Sequence, residues 1–137
     1  MAIVQTQTTS FKKELYQAVH NLLTDTLKIA LYTANASLDS ATTVYSSTNE
    51  VVSSGYTAGG NTLTGVTINT SGYTAYVNFN NTSWTSALTA RCALIYNASK
   101  GNKAIAVIDF GSDKTSTTTF TITMPANTST TALIRSA

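Results

Sequence analysis

ARCALIYNASKGNKAIAVIDFGSD, residues 90–113, holds the two densest aliphatic runs of the chain, Cys92–Tyr96 and Ala104–Ile108. Each run is too short for an ordinary helix and long enough for a strand. Between them Asn97–Lys103, NASKGNK, sets Gly101 among Asn and Lys, residue types that suit a turn and not a buried strand. The stretch predicts a central antiparallel hairpin with a loop longer than the tightest type. Its runs are nearly continuous rather than alternating, so cover on both faces is expected for much of their length.

Towards the C-terminus, Gly111–Lys114 closes the second strand, and TTTFTITM alternates Phe120, Ile122 and Met124 against Thr before Pro125 ends the run. TALIRS makes a last short strand. On the N-terminal side, Tyr73, Ala75, Val77 and Phe79 form one face of YTAYVNFN, and Ser71-Gly72 turns the chain into it. Gly65 interrupts NTLTGVTINTS as a candidate bulge. LKIALYT places Leu27, Ile29 and Leu31 on one face and Lys28, Ala30 and Tyr32 on the other, with the lysine side expected to face outwards or to snorkel from an edge. Between that strand and Gly60 runs a long polar section, expected as a contact region or as short edge strands.

One segment has a different period. Phe11, Leu15, Ala18, Val19, Leu22 and Leu23 recur at three- and four-residue steps, which predicts a helix over FKKELYQAVHNLL capped by Ser10. Lys12 and Lys13 in its first turn oppose the helix dipole. Met1–Thr9 read as an extended arm and residues 10–137 as a single β-rich domain. The fold expected is all-β, a β-sandwich or jelly-roll-like antiparallel domain with one N-terminal helix. Its expected core is Phe11, Leu15, Leu22, Ile29, Leu31, Val77, Phe79, Cys92, Leu94, Ile105, Val107, Phe120 and Ile122.

Charged residues make up 10% of the chain, against about a quarter in an ordinary soluble domain. Thr, Ser and Asn take the polar positions, and so neutral an exterior is poorly protected against association. This points to a subunit packed against neighbours. The net charge is +2 and the basic residues are scattered, a weak basis for nucleic-acid binding. No run approaches membrane-spanning length, and AIVQTQTTS after Met1 does not resemble a signal peptide.

Residues that carry chemistry are few. A lone Cys92 excludes an intrachain disulfide or a cysteine zinc cluster, and a lone His20 excludes a multi-histidine site within one chain. Cys92 falls inside an apolar strand and is expected to be buried and unreactive, and His20 is expected at the surface or in an interface. Asp109 and Asp113 flank Phe110-Gly111, a carboxylate pair suited to a turn and, less readily, to calcium or acid/base work. The kinase-like letters DFG stand without a kinase's glycine-rich loop, paired lysine or catalytic loop. Asp39 and Glu50 are isolated, and Gly59-Gly60-Asn61 lacks the phosphate-loop lysine. Trp84 with the seven tyrosines suits a core, an interface or a sugar platform. No catalytic residue, metal or cofactor is expected.

FKKELYQAVHNLLTDTLKIALYTANASLD, TNEVVSSGYTAGGNTLTG and WTSALTARCALIYNASKGNKAIAVIDFGSDK together resemble a group of small structural proteins of tailed bacteriophages, from about Phe11 to Met124. The resemblance implies a non-enzymatic virion protein assembled in the host cytoplasm. The lead expectation is a capsid decoration or cement protein touching the major capsid protein or other virion proteins. It is expected as a homo-oligomer or in multicopy lattice contacts, without nucleic acid or membrane. Alternatives are a neck or tail component, and a carbohydrate-binding module. Contact residues expected from pattern lie in the arm (Thr6, Gln7, Thr8), around Tyr56, Thr57 and Asn61, and at the hairpin tip (Ser99, Lys100, Asn102, Lys103).

Overall fold

The computed structural model describes residues 3–136. In chain order the elements are β1 (Thr6–Gln7), α1 (Thr9–Tyr16), β2 (Leu27–Tyr32), β3 (Asn61–Thr62) and β4 (Thr67–Ser71). They continue with β5 (Thr74–Asn78), β6 (Thr82–Trp84), β7 (Thr89–Asn97), β8 (Lys103–Thr115), β9 (Phe120–Ile122) and β10 (Ile134–Ser136). The strands form a mostly antiparallel domain of three sheets, ordered β1-β8-β7-β2-β3, β10-β5-β4 and β6-β9.

The hairpin β7–β8 stands at the centre of the five-stranded sheet. Its loop is a short 3-10 turn, Ala98–Lys100, closed by Gly101 in the left-handed region at φ 66°. Pleat alternation divides its apolar residues between two cores. Ala93, Ile95 and Ile105 join Leu27, Ile29 and Leu31 of β2, together with Phe11, Leu22, Val77, Phe79, Trp84, Phe120, Ile122 and Ile134. Side chains from all three sheets and the helix thus meet in one cluster. On the opposite face Cys92, Leu94, Tyr96, Ala104 and Val107 pack with Ala30, Tyr32, Ala36 and Leu38.

A bulge at Ile105 keeps this division workable. Ile95 pairs with Ala106 and Tyr96 with Ala104, so β8 has one extra residue there. Ile105 and Ala106 consequently both belong to the first cluster, whereas Ala104 and Val107 belong to the second. A larger irregularity separates the pairs Cys92–Asp109 and Ala90–Lys114, and Gly111 with φ 83° lies within it. β8 therefore runs past Asp113 to Thr115, beyond the closure expected at Gly111–Lys114.

Several expectations require correction. The helix ends at Tyr16, not Leu23, because Ala18 enters the left-handed region at φ 57°. Val19 N–H donates to the Glu14 carbonyl and Ala18 N–H to the Leu15 carbonyl, the paired bonds of a Schellman stop. Alanine in place of the usual glycine hides that stop in the sequence. The cap is Thr8, whose hydroxyl accepts from Phe11 N–H at 3.2 Å, rather than Ser10. Leu15, expected in the core, is 38% exposed, since the short helix turns only Phe11 fully inwards.

Tyr73, expected to share a face with Val77, is fully exposed because it occupies the two-residue turn between β4 and β5. Of the two expectations for the Lys28 side of β2, an outward face is corrected, since Ala30 and Tyr32 are buried beneath the long polar section, while Lys28 itself is half-buried. That section has no named strand between β2 and β3. It is tied down by backbone bonds from Thr33 N–H to Asn49 O and from Val51 N–H to Leu31 O, and by the Tyr32 hydroxyl donating to Ser46 O at 2.6 Å.

The expected arm also differs. Thr6 and Gln7 pair with Val107 and Ala106 of their own chain, and Thr8 is completely buried. Its described residues therefore pack on the domain, while Met1 and Ala2 lie outside the described residues.

Candidate functional site

The long polar section contains a carboxylate that its sequence does not advertise. Glu50 is buried. Its Oε1 accepts from the Tyr45 hydroxyl at 2.6 Å, and its Oε2 accepts from the Tyr56 hydroxyl at 2.6 Å and from Gly59 N–H at 2.8 Å. Tyr96 donates to the Gly59 carbonyl at 2.7 Å and stacks on Tyr45 with ring centroids 4.6 Å apart. Burial, reinforced by the hydrogen bonds to Glu50, pushes the Tyr45 and Tyr56 hydroxyls well above the ordinary phenol range. Burial and the Glu50 charge push Tyr96 up to about 12. These phenols serve as donors. They fasten residues 45–59 to the sheet, because the Tyr56 oxygen also accepts from Leu31 N–H at 2.9 Å.

A second polar chain runs beneath the helix. His20, expected at the surface or in an interface, is buried within the chain's own fold. Asn97 makes its amide nitrogen available to both Asp25 Oδ2 at 2.8 Å and His20 Nδ1 at 3.0 Å, while its Oδ1 accepts from Ser99 N–H at 3.0 Å. These partners orient the amide, so His20 Nδ1 accepts and Nε2 donates to Glu14 Oε1 at 2.9 Å. The hydrogen bond from Asn21 N–H, then that from Asn97, holds the Asp25 carboxyl below its ordinary value. The His20 side borders an apolar cavity of about 360 Å³, lined by Phe11, Leu15, Leu22, Ile68, Val77 and Ile134 among others. Both ring nitrogens of His20 are already engaged within the fold.

The remaining candidates are separated. Asp109 faces Arg91 at 3.3 Å and accepts from Gly111 N–H at 2.8 Å, whereas Asp113 is exposed. Cys92 is completely buried, and burial, followed by the Asp109 charge, pushes its thiol up to about 11. Trp84 is buried against Tyr56 and Phe120 and offers no open sugar platform. Among the described residues, no group of three or more His, Cys, Asp or Glu is placed to hold a metal ion. No helix among them is long and apolar enough to cross a membrane.

The expected contact residues do not form one patch. Thr6 and Gln7 lie on one edge of the five-stranded sheet and Asn61 on the other, four strand spacings or roughly 19 Å apart. Tyr56 is buried, Thr57 is exposed, and Asn61 is half-buried while donating to Thr82 Oγ1 and Ser83 O at 2.9 and 2.8 Å. At the hairpin tip Ser99, Lys100 and Asn102 are exposed and Lys103 is half-buried. This tip is braced from within the chain: Ser99 Oγ accepts from Thr26 N–H at 2.8 Å, and Asn102 O accepts from Tyr45 N–H at 2.9 Å.

Sequence reasoning missed the Glu50 cluster and the His20–Asn97 contact. Tyr45, Glu50 and Tyr56 fall within one polar section of a carboxylate-poor chain, a usable but weak signal. His20 and Asn97 lie 77 positions apart and have no local signal. No family model matches the chain, and no curated protein or solved structure matches it significantly.

Proposed function

We propose that the chain is a non-enzymatic structural protein of a tailed-bacteriophage virion, serving as a capsid decoration or cement protein. The observation that carries this reading is the resemblance of the segments Phe11–Asp39, Thr48–Gly65 and Trp84–Lys114 to small phage structural proteins. The low charge of the chain supports repeated subunit contacts. Further support comes from the polar groups best suited to chemistry: Glu50, His20 and Asp109 are each bonded within the fold. We read the common core shared by the three sheets as a sandwich-like arrangement.

In this reading the chain is made in the host cytoplasm and resides on the virion, bound to the major capsid protein or other virion proteins through many weak, repeated contacts. Stoichiometry and imaging of purified particles provide the test. Tens to hundreds of copies, ordered between capsid subunits at regular lattice positions, are the expected result. A closed ring at the neck or tail, with on the order of a dozen copies, would replace the decoration role with the alternative virion position. Absence of the chain from purified particles would remove the virion reading.

A further inference from the structure

We infer that β4 is a self-association edge, pairing antiparallel with β4 of a second copy to join two three-stranded sheets into one of six strands. In the sheet ordered β10-β5-β4, β4 has no neighbouring strand on its outer side among the described residues. All five of its residues, Thr67–Ser71, are exposed. Ser71 and Thr74 close the two-residue Gly72-Tyr73 turn, with Gly72 at φ 57°. A tight hairpin closes on a hydrogen-bonded pair, so Ser71, Asn69 and Thr67 direct their backbone groups towards β5. Alternation leaves the N–H and C=O groups of Ile68 and Thr70 on the open side.

Other edges carry features that discourage pairing. β1 and β3 have two residues each, and β6 and β9 have three. β10 has three residues and includes Arg135. The far end of β8 is interrupted around Gly111 and carries Asp113 and Lys114. β4 contains no charge, proline or bulge, the usual protections of an exposed edge.

The occupant follows from the symmetry of the segment. Pairing about Asn69 sets Ile68 opposite Thr70 and Thr67 opposite Ser71, without like charges meeting. Arg135, the one charged residue in the three strands, lies on the far edge. Ile68 and Thr70 supply the backbone bonds between copies, while the two Asn69 residues form the close, non-hydrogen-bonded pair on the axis. Ile68, now 44% exposed, becomes covered in this pairing. Such a dimer can be sought in solution, independently of any particle.

The test is sedimentation of the full chain from micromolar to millimolar concentration, beside Ile68→Lys and Thr70→Pro chains. Thr70→Pro removes an outward N–H and spares the ladder to β5. The full chain is expected to dimerise reversibly, and each variant to weaken dimerisation about tenfold or more. An Asn69→Cys chain adds a readout independent of those variants: mild oxidation should yield a symmetric disulfide-linked dimer, whereas a Thr121→Cys chain should remain largely monomeric. A full chain that stays monomeric throughout would overturn the inference. So would a dimer unaffected by either variant and not cross-linked through position 69.

Discussion

The Tyr56 hydroxyl donates to Glu50 Oε2 at 2.6 Å while accepting from Leu31 N–H at 2.9 Å, joining a buried carboxylate to the central sheet through one oxygen atom. Tyr56→Phe removes both bonds at once and leaves Leu31 N–H without its acceptor. A loss of about 2 kcal/mol is expected. Glu50→Ala should cost more, about 3 kcal/mol, because Tyr45, Tyr56 and Gly59 N–H all lose their acceptor. Denaturant unfolding measures both. Equal stability of Glu50→Ala and the parent chain would show that this cluster does not anchor the section.

Ala18 occupies the left-handed position of the helix stop with φ 57°. Glycine adopts that conformation without the steric penalty that a Cβ carries. Ala18→Gly is therefore expected to raise stability by about 1 kcal/mol, despite glycine's greater freedom in the unfolded chain. Thermal unfolding supplies the measurement. A clear decrease in stability would contradict the proposed strain at this turn.

Asp25 gives a pH dependence of definite sign. Its carboxyl lies below the ordinary value of 3.8 because of Asn21 N–H and the Asn97 amide, with a smaller contribution from the Lys100 charge opposing the effect of burial. A depressed carboxyl contributes stability that is complete above its unfolded pKa and is lost as pH falls through its folded pKa. Asp25→Asn should therefore lose less stability than the parent between about pH 5 and about pH 2. Unfolding curves across that interval test the difference, and parallel acid losses would argue against the assignment.

Cys92 should report opening of the second core. Burial and the Asp109 charge raise its thiol to about 11, with Arg91 acting in the opposite direction. The native chain is expected to resist alkylation at neutral pH, and the unfolded chain to react readily. Intact-mass measurement after timed exposure to a thiol reagent follows the modification. Rapid labelling under native conditions would mean that β7 opens far more easily than its buried position implies.

Much of the architecture was legible because short-range patterns met long-range packing without conflict. Cys92–Tyr96 and Ala104–Ile108 lie in paired strands, and the alternation of Phe120 and Ile122 matches their shared burial. The helix boundary was obscured because the apolar spacing continues through Val19, Leu22 and Leu23 after the backbone has turned at Ala18. The contact candidates were chosen by polarity and glycine content, which do not distinguish an exposed Thr57 from a buried Tyr56.

By itself the sequence determined an antiparallel β domain with an N-terminal helix, because the two- and three-to-four-residue periods dictate which local backbone can bury its apolar side chains. Only the tertiary structure decided that Glu50 would be enclosed by Tyr45 and Tyr56, that Asn97 would meet His20, and that β4 would form an open edge. Those outcomes depend on strand order and register. Such choices bring distant residues together and leave particular backbone groups unpaired, and neither consequence is encoded in a local period.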